Sequence, residues 1–282
     1  MLQPILPNLM TGPERVETVR NPMSIVHLAT KKFLEKNLPL SLESLLLGAD
    51  TKHRYSKVAC YITRRGLVLE LGSGTSGLVL LSREKQRVIS VDRTRYGRRG
   101  TANRVLADAR FLPFANSIFE TVVSVDMIEH IPASGRQLAL NEMKRVTRGL
   151  VVLHTPVESP PLFLAAQYDT MLLELRKKVR AYPTRELTEH VSSGHPTLDE
   201  LTSVFPGASI IGTQNCHTWY FVMAIQSIPA FVPIMGLAHR ILKRVYDRGD
   251  CFYSCVLVYD TTQTNTNPLR ESEMETCAVV GP

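Results

Sequence analysis

The sequence predicts a doubly wound α/β fold on a mostly parallel sheet, and three observations carry that expectation. First, short apolar runs alternate with helical stretches: Leu67 to Leu71, "RVISVD" (Arg87 to Asp92), "RVLADA" (Arg104 to Ala109), "ETVVSVD" (Glu120 to Asp126) and "GLVVLHTP" (Gly149 to Pro156). Continuous runs of this kind suit strands buried on both faces, with helices covering them. Second, the first run leads into "GSGTSG", where Gly72, Gly74 and Gly77 fit G-x-G-x-x-G, a turn that lets the backbone approach a ligand at a helix start. Third, an acid, Asp92, ends the second run.

Residues 1–20 are Pro-rich and aperiodic and read as a tail. Residues 21–66 read as a helical lead-in. Asn21 and Pro22 supply an N-cap and a first helical position, Ile25, Leu28, Ala29 and Phe33 share one face, and a second helix runs through "HRYSKVACYITRR" to Gly66. The main domain spans 67–260. In it Leu78 to Glu84 reads as a helix, and Ala139, Met143, Val146 and Leu150 predict another between Ala133 and Leu150. After Pro156 the alternation lapses, so 157–204 reads as an insertion over the carboxyl edge of the sheet, where such folds bind ligands. Within it Thr197 and Glu200 have the spacing of a capping box. Ser209 to Gly212, Thr218 to Ala224 and Cys251 to Tyr259 read as further strands, and 261–282 as a second tail.

With 44% hydrophobic and 21% charged residues, the chain of 282 residues is that of a globular protein and not of a disordered one. Its net charge of +7 permits an anionic partner; nucleic acid is therefore not excluded, although the basic stretches lack interleaved aromatic residues. Five cysteines without a C-x-x-C pair argue against a disulfide framework and a zinc site, so no metal is expected. The N-terminus lacks the pattern of a secretory signal, and a cytoplasmic location is expected. The uncharged segment Tyr220 to Ala238 approaches the ~20 residues that span a bilayer. Flanked by Trp219 on one side and His239, Arg240, Lys243 and Arg244 on the other, it makes peripheral membrane contact through 220–245 one expectation. A buried strand followed by a core-covering helix is the other.

The glycine turn alone does not choose between a dinucleotide and S-adenosylmethionine. Asp92, twenty residues after Gly72, would bind ribose hydroxyls in either case. Glu70, two residues before Gly72, places a carboxylate where it would repel a pyrophosphate and suit a cation. S-adenosylmethionine, with its sulfonium and ammonium groups and no phosphate, fits better.

At this point the chain resembles the class I S-adenosylmethionine-dependent methyltransferases, in particular the small-molecule-type group. "VLELGSGTSG" is similar to their first motif and "VISVDRT" to their second. "ADARFLPFANSIFETVVSVDMIEHIP" resembles their D-A…LPF…S-F-D…EH passage, with Glu120 in place of the usual Asp. "GLVVLHTP" resembles the fifth strand and "EHVSSGHPTLDEL" the helix after an insertion, so the resemblance covers about residues 54–204. It implies a seven-stranded Rossmann-like methyltransferase sheet and S-adenosylmethionine as cofactor. Glu70, Gly72, Ser73, Gly74 and Asp92 would contribute to cofactor binding, Asp108 would accept from the adenine amino group, Ala109 would lie against the ring and Asp126 beside the donor.

Methyl transfer is an in-line displacement that chiefly demands positioning, and a general base matters only when the acceptor must lose a proton. His130, after the fourth strand, is the best-placed catalytic candidate; His154, His190, His195, Tyr168 and Asp169 read first as structural. No Asn/Asp-Pro-Pro-aromatic tetrapeptide and no Pro-Cys pair follows that strand, so amino-methylation of nucleic acid and cytosine C5 methylation are not expected. The expected acceptor is a small molecule, lipid-linked or glycosidic. Two alternatives are an NAD(P)-dependent oxidoreductase, with Arg93 and Arg95 beside Asp92, and a non-catalytic binding or regulatory protein of this fold with RNA as a candidate partner.

Overall fold

The computed structural model describes residues 49–62, 66–74, 77–78, 87–94, 103–179, 185–228, 231, 234–235, 238, 242 and 244–262. The two expected tails (apart from 261–262), the first lead-in helix and most of the helix from Leu78 to Glu84 lie outside them.

Seven strands build the sheet: β1 (Val68–Leu71), β2 (Val88–Asp92), β3 (Arg104–Leu106), β4 (Phe119–Val125), β5 (Thr147–Pro156), β8 (Ser209–Asn215) and β9 (Phe252–Asp260). A short hairpin, β6 (Glu158–Ser159) with β7 (Phe163–Leu164), continues its edge. The spatial order is β3-β2-β1-β4-β5-β9, with β8 also paired to β9. β1 to β5 are mutually parallel, while β9 runs antiparallel to both β5 and β8. The order reverses between β1 and β4, and the crevice at their carboxyl ends is where ligands bind in open sheets of this kind.

Alternate residues feed opposite faces. Leu69, Leu71, Val122 and Leu153 point to a core closed by α2 (Ala133–Val146) and α5 (Leu198–Val204); Val68, Val123 and Val152 point to one closed by α1 (Ala49–Ala59) through Tyr55 and Val58. Between β5 and β8 lie α3 (Ala165–Lys178), α4 (Arg185–Ser193) and α5, and α6 (Cys216–Gln226) follows β8.

Several boundaries differ from the sequence expectation. The helix expected up to Leu150 stops at Val146, where the Thr147 hydroxyl donates to the Met143 carbonyl at 2.6 Å and β5 begins pairing with Phe119. Leu150 shares the apolar period of that helix but is a strand residue. The helix expected to run to Gly66, described over Ala49–Ala59, ends at Ala59. Thr218 to Ala224, expected as a strand, is helical. The Asn215 side-chain oxygen accepts from the His217 and Thr218 N–H groups at 3.1 and 3.2 Å, and Cys216, Trp219 and Val222 bury one face. A cap and a three-residue burial period outweigh the β-propensity of the aromatic residues. The capping box of Thr197 and Glu200 forms as expected.

Candidate functional site

The turn after β1 is shaped by two glycines in the left-handed region. Gly72, at φ +73°, donates its N–H to the Val91 carbonyl at 2.9 Å, and a Cβ there would stand 2.5 Å from Met127 Cγ. Gly74, at φ +52°, faces open space among the described residues. Its N–H donates to Asp92 Oδ2 at 3.0 Å, while Asp92 Oδ1 accepts from the Thr94 N–H at 2.8 Å. Between the glycines the Ser73 side chain is buried, and its hydroxyl meets no partner among the described residues. An open cradle, an unpaired buried hydroxyl and a carboxylate with lone pairs to spare fit the ribose and amino-acid portions of S-adenosylmethionine.

Glu70 needs a different account from the one its sequence position suggested. Its carboxylate is fully buried and turned beneath the loop: Oε1 accepts from the Leu78 N–H at 2.7 Å and Oε2 from the Ser90 hydroxyl at 3.2 Å. Burial raises its pKa to about 7, opposed by those hydrogen bonds. Glu70 therefore braces the turn and the start of the following segment, and does not line the cavity as a counter-charge.

Beyond the turn opens a cavity of about 360 Å³, within the usual range for small-molecule sites. Gly72, Ser73 and Gly74 line one end. The wall from α1 carries Asp50, Thr51, Arg54 and Tyr55. Asp126 sits where β4 ends, at φ +50°. It pairs with Arg54 and accepts from His154 Nδ1–H at 2.9 Å. His154 lies inside the sheet with Nε2 facing the hydroxyls of Ser254 (3.2 Å) and Thr213 (3.3 Å). Burial, then the Arg54 charge, pulls its pKa well below the ordinary value, so the ring is neutral. A neutral histidine and an ion-paired carboxylate hold the end of β4 rather than exchange protons with a ligand. Asp126 caps no helix: the short 3-10 turn Ile128–His130 has Met127 at its start and no side-chain cap.

The opposite end of the cavity is polar. Asp169 of α3 is buried; Oδ2 accepts from His190 Nδ1 and His195 Nε2, both at 3.0 Å, and Oδ1 from the Tyr253 hydroxyl at 2.9 Å. Burial alone would raise its pKa, but these histidine hydrogen bonds hold it below the usual value. For His190 burial pulls downward, and the bond to Asp169 with nearby carboxylates more than offsets it. His130 Nε2 lies 3.4 Å from His190 Nε2, and Glu129, beside it in the chain, is buried. Arg136 ties this region together, donating to the Ile131 carbonyl at 3.0 Å and the Gly194 carbonyl at 2.5 Å. Trp219, placed by its sequence context at a membrane interface, is instead buried and stacked on Tyr253 with ring centroids 3.7 Å apart.

Of the residues singled out from sequence, Gly72, Ser73, Gly74, Asp126 and His130 line this one cavity, and Asp92 touches it through Gly74. Asp108 and Ala109 do not. Arg110 binds both oxygens of the Asp108 carboxylate at 3.0 and 2.7 Å and lowers its pKa to about 2, which occupies the group expected to accept from adenine. Ala109 is packed into the core. Sequence reasoning missed Arg54, Asp50 and Gln214, and it read Asp169 and His190 as structural. Helix α1 carried no motif, and Asp169 and His190 meet only through the packing of α3 on α4.

Residues 69–153 match a protein family described as a methyltransferase domain. No curated protein matches the chain. Among solved structures, a possible histamine N-methyltransferase from Thermotoga maritima is 13% identical, covering 85% of this chain and 97% of that one at a TM-score of 0.47. A methyltransferase from Archaeoglobus fulgidus is also 13% identical, covering 76% and 94% at 0.47. The geranyl diphosphate C-methyltransferase of Streptomyces coelicolor is 11% identical, covering 74% and 77% at 0.45. The strand order, the antiparallel β9 and the glycine turn give the match of residues 69–153 to a methyltransferase domain a consistent structural setting.

Proposed function

We propose that the chain methylates a small-molecule or lipid-linked acceptor with an apolar body and a polar reactive end. The observation that carries this is the continuity of one cavity from the Gly72–Gly74 turn to the Asp169, His190 and His130 cluster, past the apolar flank of Leu172, Trp219 and Met223. The bound cofactor supplies a methyl group on a sulfonium, open to in-line displacement. Gly72, Ser73, Gly74 and Asp92 hold the cofactor. Trp219, Leu172 and Met223 exclude water from the acceptor's apolar part, and the histidine end orients its oxygen or nitrogen toward the methyl group. Arg54 and α1 close the cavity from the side of the lead-in segment.

The same reading extends to a lipid surface. Phe221, Ile228, Phe231 and Ile234 are exposed along the segment expected to meet a membrane, and Arg244 follows them. Among the described residues no helix is long and apolar enough to cross a membrane, so the contact is peripheral. Sedimentation with anionic liposomes tests it: Phe231→Glu together with Ile234→Glu should abolish co-sedimentation, and failure of the unaltered protein to sediment removes the lipid part of the proposal.

Calorimetry with S-adenosylhomocysteine, followed by transfer of a labelled methyl group to a panel of apolar alcohols, amines and prenyl or acyl acceptors, tests the main reading. Asp92→Ala should weaken cofactor binding by ~1–3 kcal/mol, because a charged acceptor for the ribose hydroxyls is lost. Label appearing in RNA or protein and in none of the small acceptors overturns the proposal.

A further inference from the structure

Two histidines meet head to head at the acceptor end of the cavity. Their Nε2 atoms are 3.4 Å apart and their ring centroids 4.8 Å apart. Behind each ring stands a carboxylate: Asp169 Oδ2 is 3.0 Å from His190 Nδ1, and Glu189 Oε2 is 3.4 Å from His130 Nδ1. A carboxylate at Nδ1 favours the tautomer that carries its proton there, which leaves Nε2 with a bare lone pair. In those tautomers the two lone pairs face one point, which a shared proton or a metal ion can occupy.

A third group lies close by. Glu129 is 1% exposed; its Oε2 accepts from the Thr155 hydroxyl at 3.1 Å, while Oε1 is buried and meets no partner among the described residues. One ligand atom from each of Glu129, His130 and His190 lies within 4.8 Å of the other two. Ligands about 2.0–2.1 Å from a tetrahedral ion lie roughly 3.3 Å from one another, close to the spacing of the two histidine nitrogens. Carboxylates behind the rings are the outer partners that metal-bound imidazoles use to fix tautomer and orientation. In the neighbouring cluster of Asp169, His190 and His195 the carboxylate is already satisfied by hydrogen bonds from both rings and from Tyr253.

We propose that Glu129, His130 and His190 bind a divalent first-row transition-metal ion, with Asp169 and Glu189 as positioning residues and a remaining coordination position open to the methyl acceptor. Two imidazoles and one carboxylate suit Zn²⁺ and its neighbours in the series better than Mg²⁺ or Ca²⁺, which take mainly oxygen ligands. An ion here would hold the reactive oxygen or nitrogen of the acceptor and ease loss of its proton. Only this last role rests on the methyl-transfer reading; binding of the ion does not.

The test is calorimetric titration of the chelator-treated full-length protein with ZnCl₂ alone, and with MgCl₂ in parallel. One equivalent of Zn²⁺ should bind, with Mg²⁺ at least a hundredfold weaker. Glu129→Gln and His130→Ala should each weaken Zn²⁺ binding by a hundredfold or more and leave thermal unfolding of the apoprotein unchanged. Asp169→Asn should weaken it by about 10–100-fold through the His190 ring. Co²⁺ loaded in place of Zn²⁺ should give a spectrum without a thiolate charge-transfer band. No uptake, uptake unchanged in both ligand variants, or a thiolate band that points to Cys216 and Cys251 overturns the proposal. Loss of S-adenosylhomocysteine binding with Zn²⁺ uptake intact would count against the methyl-transfer reading alone.

Discussion

The two ends of the cavity are built in opposite ways. At the cofactor end Gly72, Ser73 and Gly74 are consecutive, and their shape is set by backbone dihedrals and by hydrogen bonds to the adjacent β2. At the opposite, histidine-rich end Glu129, His130, Asp169, His190, His195 and Tyr253 come from four elements and the loop after α4, and the Asp169 to Tyr253 bond spans 84 positions of chain. A local device tolerates great divergence around it, because it needs only a strand, a turn and the next strand. A distributed one depends on how every helix of the 157–204 segment packs, and so it can change with the acceptor while the cofactor end stays the same.

The sharpest way to break this comparison is at the turn. Gly72→Ala places a Cβ against Met127 and keeps a side chain at φ +73°. Overpacking and backbone strain together should cost about 2–5 kcal/mol, read by denaturant unfolding, with S-adenosylhomocysteine binding lost. Normal stability and binding in this variant would mean that the turn is not locally fixed.

Glu70 gives the next effect, and it depends on pH. Its folded pKa of about 7 exceeds the ordinary 4.5, so the contribution of this group to stability is fully present below pH 4.5 and is lost as pH rises through about 7. The shift corresponds to about 3 kcal/mol between those limits. Glu70→Gln keeps an acceptor for Leu78 without the buried charge, so its unfolding free energy should exceed that of the unaltered protein at pH 8 and match it near pH 4. Parallel curves for the two proteins would show that the carboxylate is solvated.

How much could be read from sequence follows the same division. β1, β2, β4 and β5 were legible because each is an apolar run largely buried on both faces, β3 by its place in the alternation although it is partly exposed, and the glycine turn because its residues are contiguous. The capping box was legible because Thr197 and Glu200 interact within one helical turn. The role of Glu70 was not, since charge read along a chain carries no direction and the side chain points under the turn. The engagement of Asp108 by Arg110, two residues away, has no signature in the family pattern, which implies an adenine contact for that carboxylate. His190 and Asp169 carry no signature at all, since each becomes more than a structural residue only when α4 is laid on α3.

The smallest effect examines whether the acceptor end is as distributed as it looks. Thr197→Ala removes the hydroxyl that accepts from the Glu200 N–H at 3.2 Å and should cost ~1 kcal/mol, a fall of roughly 2–4 °C in melting temperature. Glu200 also faces Arg136 at 3.5 Å, and Arg136 donates to the carbonyls before His195 and after His130. A loosened cap should therefore reach the histidines through Arg136, lowering methyl transfer more than the stability change alone would, while the affinity for S-adenosylhomocysteine stays constant. If cofactor affinity fell in step, the two ends would be coupled through the sheet. The separation drawn between a local cofactor turn and a packed acceptor wall would then have to be abandoned.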